Sequence, residues 1–400
     1  MPMPTRPAPG ASWTDWGTSL DVVARVALSK AQAHVFQYGG DTIAVHRDGS
    51  IIAQGATGAA NDADIINAAL DAAASLPTGS YRGGARVSLS ADLYQCSKSI
   101  VKPHATTLEG QGHGVDDKNG NGMWGTVLEA TAGFVGTAVI TAGVQASGSR
   151  VNSNPHHDMT RNLGINGMGR VQRCFESFDT RMVRIRDVTF RGPTSAHVYN
   201  YSSLPPDEGG LAHEYADFFF DDSGSEGIVH EGVGATDGMI YNGRILSTPT
   251  SIRLVGGGGW QLHGLHLTHS ASNPEHIILN TNKTYMTNCY LDSGSGPLMT
   301  VSATSWLSIG FGCLFQMTGA GTTFIRGGTK LQISGAAFEW SVNANPRSFV
   351  EVGAGAQVIV GPNRGGPVGS NWVAPVTTLD GTPVTTDEGA GRWIEGNVLH

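Results

Sequence analysis

Gly264-Leu-His-Leu-Thr268, Asn288-Cys-Tyr-Leu-Asp292, Gly312-Cys-Leu-Phe-Gln316 and Gly335-Ala-Ala-Phe-Glu339 share one pattern. A Gly or Asn precedes two small or apolar residues placed two apart, and the motif returns after 24, 24 and 23 residues. Followed outward, the same pairing reads Leu163/Ile165, Val188/Phe190, Phe218/Phe220, Arg244/Leu246, Leu265/Leu267, Cys289/Leu291, Cys313/Phe315, Ala336/Phe338 and Val358/Val360. A period of about two dozen residues with one strand core per repeat predicts a solenoid, in which each unit buries its apolar residues only against its neighbours. No repeat holds a helical apolar pattern, and turn formers such as Gly256 to Gly259 and Gly319 to Gly321 separate the strands, so the coil is expected to be β. A β-sandwich would place strands about every 8 to 12 residues, without a register kept over nine units. The parallel β-helix is therefore preferred. Side chains alternate faces along a strand, so both members of each pair should point inward and the residue between them outward. Cys289 and Cys313 then become buried neighbours on successive coils.

The composition fits this reading. The chain has 400 residues, of which 56 are glycine and 14% charged, which is turn-rich and largely β in character. Its net charge of −8 argues against a nucleic-acid or anionic-membrane partner. Cysteines 96, 174, 289 and 313 form neither a CxxC pair nor a disulfide framework. No apolar leader and no run of 18 apolar residues is present, so neither a signal peptide nor membrane insertion is expected.

The N-terminal third is more varied. Residues 1–38 read as an extended and helical segment for attachment or trimerisation, with a helical stripe from Trp13 to Ala33. Residues 39–60 read as a hairpin turning at Asp48-Gly49. Residues 61–360 read as the β-helix, entered through a helix from Ala63 to Ser75 that is capped by Asn61-Asp62 and buries Ile65, Ile66, Ala69, Leu70 and Ala73. That helix is the expected cover for an open solenoid end. Strands are expected at Arg86 to Ser90, Thr106 to Glu109, Thr126 to Glu129 and Ala138 to Thr141, with Gly110 to Gly125 as a strandless protrusion. Residues 361–400 lose the period and read as a C-terminal cap or interchain tail.

The run Asp41-Thr-Ile-Ala-Val-His-Arg-Asp-Gly-Ser-Ile-Ile-Ala-Gln-Gly-Ala-Thr-Gly, with Asn61-Asp-Ala-Asp-Ile-Ile-Asn-Ala-Ala-Leu-Asp-Ala-Ala and Thr107-Leu-Glu-Gly-Gln-Gly, resembles the entry to the pectate-lyase-like β-helix of bacteriophage tail spikes. The opening Pro-Thr-Arg-Pro-Ala-Pro-Gly with Trp13 to Gly17 is similar to minor tail proteins of phages that infect actinobacteria. The resemblance covers about the first 110 residues by motif. It implies an all-β, right-handed parallel β-helix, assembled as a homotrimer with other tail proteins on a virion and directed at a host surface glycan. Of the polygalacturonase-like set, only Asp221-Asp222 is present, which counts against a galacturonan hydrolase of that type.

Glycan chemistry needs two carboxyl groups across a glycosidic bond, or for elimination a base beside a group that stabilises a carboxylate. The residue after each inward pair should stack outward as Asn166, Arg191, Asp221, Ser247, Thr268, Asp292, Gln316 and Glu339, beside a row holding Phe219, Ile245, His266 and Tyr290. Asp292 and Glu339, two coils or ~10 Å apart, approach the separation of inverting glycosidases. These two are the first catalytic candidates, with Asp221 and Asp222, in an acidic cluster with Glu226, Glu231 and Asp237, as the second. Phe219, His266, Tyr290 and Arg191 are the candidate substrate-binding residues. His263, His266 and His269 would alternate faces on a strand, and His156-His157-Asp158 is a loop cluster, so neither a metal nor another cofactor is expected. His213-Glu214 and His230-Glu231 could hold a general base, but nothing local distinguishes them from polar loop residues. The expected function is a tail protein that binds and depolymerises a host polysaccharide, as hydrolase or lyase. The alternatives are a non-catalytic minor tail or receptor-binding protein and a secreted cellular polysaccharide lyase or glycoside hydrolase.

Overall fold

The structure is a computed structural model and describes residues 31–75, 85–103, 105–115, 123–143, 159–203, 212–220, 225–234, 237–246, 249–268, 275–294, 297–319, 321, 323–341, 346–353, 355–366, 372–387 and 392–399. The helix expected from Trp13 lies outside them as far as residue 30, and Ala33, its expected end, instead opens the strand Ala33–Tyr38. Among the described residues the chain is all-β apart from one helix, and its strands wind as a right-handed parallel β-helix. That helix is too short and too polar to cross a membrane. The chain divides into two units, one running to Ser177 with Val183–Pro193, the other Phe178–Met182 with Thr194 onward.

The first unit opens with an antiparallel meander of Ala33–Tyr38, Asp41–His46 and Ile51–Ala56. Its second turn is the expected Asp48-Gly49, where Gly49 has φ +88° and the His46 N–H donates to the Ser50 carbonyl at 2.8 Å. The first strand also pairs in parallel with Ala85–Leu89, so the meander occupies an edge that would otherwise stand open. Helix α1 (Asp62–Ser75) buries the five residues expected of it and packs on the meander and on Leu93–Lys102. Asp62 is fully buried. It accepts hydrogen bonds from the Thr42 hydroxyl at 2.6 Å, the Gly58 N–H at 3.0 Å and the Gln95 N–H at 2.8 Å, and so ties helix, hairpin and first coil together.

Three elements of this unit differ from expectation. Leu93–Lys102 is a strand that the sequence hides, because Ser97, Lys98 and Ser99 interrupt the buried Tyr94, Cys96 and Ile100. The two strands expected at Thr126 to Glu129 and Ala138 to Thr141 are the ends of one, Val127–Ala142. The loop from Gly110 does hold strands, a small hairpin of His113–Val115 and Met123–Gly125. His113 anchors it to the strand Arg184–Arg191, its Nδ1 2.6 Å from Thr189 Oγ1 and its Nε2 3.1 Å from Asp187 Oδ1.

In the second unit each coil carries three strands rather than the single core expected. The first sheet stacks Arg244–Leu246, His266–Thr268, Tyr290–Gly294, Leu314–Met317, Ala337–Trp340 and Arg364–Gly365. The second stacks Trp260–His263, Lys283–Thr287, Trp306–Ile309, Lys330–Ile333, Gln357–Val360 and Arg392–Ile394. The third stacks Glu226–Gly232, Ile252–Val255, Ile277–Asn280, Met299–Val301, Thr323–Gly327, Ser348–Val352 and Val376–Thr378. All three continue in parallel beyond residue 361, where the sequence period fades.

Seven of the nine expected pairs are inward on the repeating strand itself; the other two need correction. Val358/Val360 is inward but belongs to the second sheet, in register with Leu331 and Ile333. Arg244/Leu246 is one residue out of phase, because Ile245 is buried and Arg244 exposed. The true inward pair there is Gly243/Ile245. A Cβ on Gly243 would lie 2.0 Å from the Phe218 ring, so the large ring of one coil fills the place of a missing side chain on the next.

The residue before each inward pair explains the Gly, Asn or Asp of the motif. Asn162, Asp187, Asp217, Asn242, Gly264, Asn288, Gly312 and Gly335 all have left-handed φ between +52° and +80°. In the second unit this residue turns the chain from the second sheet into the first. Only Gly, and less readily Asn and Asp, adopt that conformation at low cost.

Candidate functional site

The first sheet of the second unit presents two outward rows. One runs Phe219, Arg244, His266, Tyr290, Leu314, Ala337 and Arg364 in unbroken register. Beside it lie Leu246, Thr268 and Asp292, and further along the stack Gln316 faces Glu339. Five of the eight site candidates, Phe219, His266, Tyr290, Asp292 and Glu339, therefore share one face. Arg191 lies in the first unit, opposite Asn166. Asp221 and Asp222 lie outside the described residues.

Contacts within the strip are specific. The His266 and Tyr290 rings stack at 4.8 Å and 15°. Thr268 Oγ1 lies 2.8 Å from His266 Nε2, and the Tyr290 hydroxyl donates to Gln316 Oε1. Tyr290 holds its proton more firmly than usual, first through burial and then through the negative charge of Asp292 and Glu339. Both carboxyl groups therefore act on one phenol. His266 is displaced the other way, first by burial and then by the Arg244 guanidinium, with Asp292 opposing, which favours the neutral ring.

A register shift between Leu291 and Gly294 puts one extra residue in the strand at Asp292 and Ser293. Such bulges re-aim a side chain. The Asp292 backbone is held there by fully buried His276, whose Nε2 is 2.9 Å from the Asp292 carbonyl oxygen. Further along the strip a cavity of about 600 Å³ is lined by Leu314, Ala337, Glu339 and Arg364 together with Gly312 and Gly335. Glu339 and Arg364 give it a polar end. With Asp292 and Glu339 two coils apart, their expected separation is ~10 Å, wide enough for a sugar linkage and a water between them.

Sequence reasoning missed several members of the strip. Arg244 was expected inward, and its place in the outward row was given to Ile245, through the phase error at Gly243. Leu246, likewise expected inward, stands where Ser247 was expected, and Ser247 lies outside the described residues. Arg364 falls where no apolar pair marks the strand, and His276 precedes the Ile277/Leu279 pair of the third sheet, so only the pairing of the coils brings them in.

Other candidates are dispersed. Glu226 and Glu231 are both held by Arg253 of the third sheet, with Arg253 Nη2 2.7 Å from Glu226 Oε2, and Tyr199 also donates to Glu231 at 3.1 Å. They form an ion-pair network away from the strip. His263 lies on the second sheet with Nδ1 2.8 Å from Thr287 Oγ1, whereas His266 lies on the first, and Gly264 turns the chain between them. His269 and His156-His157-Asp158 lie outside the described residues. Among the described residues no cluster of three His, Cys, Asp or Glu could hold a metal ion. His213 and His230 are core residues rather than loop residues: both are buried, their rings 4.6 Å apart. All four cysteines are buried free thiols.

No family model matches the sequence, and no curated protein matches it. Among solved structures, the A-module of the mannuronan C-5 epimerase AlgE6 of Azotobacter vinelandii superposes with a TM-score of 0.51 at 13% identity, covering 86% of this chain and 96% of that one. ORF18 of Geobacillus virus E2 gives 0.49 at 16% identity, covering 76% of this chain and 57% of that one. The catalytic unit of an α-1,3-glucanase from Streptomyces thermodiastaticus gives 0.46 at 14% identity, covering 86% and 66%. At these identities the likeness is one of fold.

Proposed function

We propose that this chain is a phage tail protein that binds a bacterial surface polysaccharide along the first sheet of its second unit and hydrolyses it between Asp292 and Glu339. The observation that carries this reading is the strip itself, where Asp292 shares a strand with Tyr290 of the stacked His266–Tyr290 pair and Glu339, two coils further along, bounds a cavity. Aromatic rings offer faces to pyranose rings, and the bulged, backbone-anchored Asp292 is a positioned group rather than a loose surface acid. One carboxylic acid would give its proton to the glycosidic oxygen as the bond to the anomeric carbon breaks. The other, as carboxylate, would take a proton from the water attacking the opposite face, with inversion. The phage setting rests on the entry motif between Asp41 and Gly112. A homotrimer on the virion, in contact with other tail proteins, belongs to the same reading.

The test is incubation of the purified protein with capsular and cell-wall glycans of actinobacterial hosts, reading both reducing ends and the ultraviolet absorbance of unsaturated uronates. New reducing ends without unsaturation are expected, and Asp292→Asn or Glu339→Gln should each lower the rate by about a hundredfold or more. Unsaturated products would replace hydrolysis with elimination. Binding to cells without cleavage would leave a receptor-binding tail protein, with Tyr290→Ala and His266→Ala then expected to weaken that binding.

A further inference from the structure

The second sheet of the same unit carries outward rows of different chemistry. Lys283, Trp306, Lys330 and Gln357 stand in one row, and Gln261, Tyr285, Ser308 and Gln332 in the next. The Lys283 ammonium lies 4.3 Å from the Trp306 ring centroid and 4.9 Å from that of Tyr285. Both rings remain exposed, Trp306 at 37% and Tyr285 at 38%. The five strands from Trp260–His263 to Gln357–Val360 contain no Asp or Glu. This is unusual in a chain of net charge −8, and the only two lysines after Lys118 are Lys283 and Lys330, on either side of Trp306 in a single row.

We propose that this face is a second, non-catalytic binding platform for an acidic polysaccharide. A cation held against two half-open rings suits a sugar acid, whose carbon face stacks on an aromatic ring while its carboxylate meets the ammonium. The amides of Gln261, Gln332 and Gln357 are placed to meet hydroxyl groups. Lys283 and Lys330, two coils or ~10 Å apart, match charges repeated about once per disaccharide. A nucleic acid carries a phosphate every ~3.4 Å along each strand and calls for a denser set of cations. A second copy of the chain docked face to face would set these lysines against one another. The platform is separate from the strip on the first sheet and stands whether or not that strip cleaves.

The test is affinity electrophoresis of the full chain through gels containing polygalacturonate, alginate or hyaluronate, with neutral dextran and a single-stranded oligonucleotide for comparison. Retardation by at least one acidic polysaccharide but not by dextran is expected, and it should fall as salt is raised. Lys283→Gln with Lys330→Gln, and separately Trp306→Ala, should weaken it by about tenfold, whereas Tyr38→Ala, an exposed ring of the first unit, should leave it unchanged. Loss with Tyr290→Ala but not with the lysine changes would place the polymer on the strip and overturn the platform. Binding of the oligonucleotide alone, no binding of any acidic polymer, or a change of oligomeric state with Trp306→Ala in sedimentation would each overturn it as well.

Discussion

At the scale of single residues, the corner positions constrain the coil most tightly. Gly312 has φ +80°, and a Cβ there would lie 2.1 Å from Asn288 Oδ1 on the neighbouring coil. Gly312→Ala therefore meets both backbone strain and a clash, and should cost about 2 kcal/mol or more. Asn288→Gly keeps the left-handed turn and relieves the crowding, so it should cost far less. Urea unfolding of the two variants checks the order, and equal losses would contradict it. His230 sets a second constraint. Burial, then the neighbouring His213, pushes its pKa well below the ordinary 6.5, and Trp260 packs on it at 4.9 Å. The folded chain thus keeps the ring neutral while the unfolded chain takes up a proton below that pH. This group leaves stability unchanged above pH 6.5 and lowers it as pH falls further, by up to about 1.4 kcal/mol per pH unit, until the folded-state pKa is reached. Melting temperatures between about pH 7.5 and pH 5 should fall less steeply in His230→Phe than in the natural chain.

At the scale of elements, the join between α1 and the first coil depends on one buried carboxylate. Asp62→Ala would leave the Thr42 hydroxyl and the Gly58 and Gln95 N–H groups without their acceptor, a loss of about 3 kcal/mol. Limited proteolysis is expected to cut first near α1 in this variant, and an unchanged pattern would show that the packing of Ile66 and Leu70 holds the helix unaided. Elements were legible where one face is uniformly apolar, as in α1 and in Leu265/Leu267. They were hidden where polar residues interrupt the alternation, as in Leu93–Lys102. They were misread where glycine takes an inward place, as at Gly243, since a gap filled from the neighbouring coil has no local signal.

At the scale of the whole chain, the parallel stacks continue to the strands Arg392–Ile394 and Val398–Leu399. Removing residues after 361 would strip the partners of Ser348–Val352 and Gln357–Val360 and take Trp372 from its stack on Trp340, 5.8 Å away. The shortened chain should melt lower and self-associate through its open edges, as light scattering would detect. By itself the sequence determined the class of fold. A left-handed residue and an inward pair must recur once per coil wherever a parallel β-helix turns, and both leave marks that composition cannot mimic. It also marked Asp292 and Glu339, because residues at a fixed offset from the inward pair come to one face. Only the tertiary structure decided that each coil has three strands, that Arg244 and Arg364 stand in the strip while Glu226 and Glu231 are bound to Arg253, and that Lys283 and Lys330 flank Trp306. Those juxtapositions come from which strands pair across a coil of two dozen residues, and side chains that meet only through such pairing carry no periodic signal of their own.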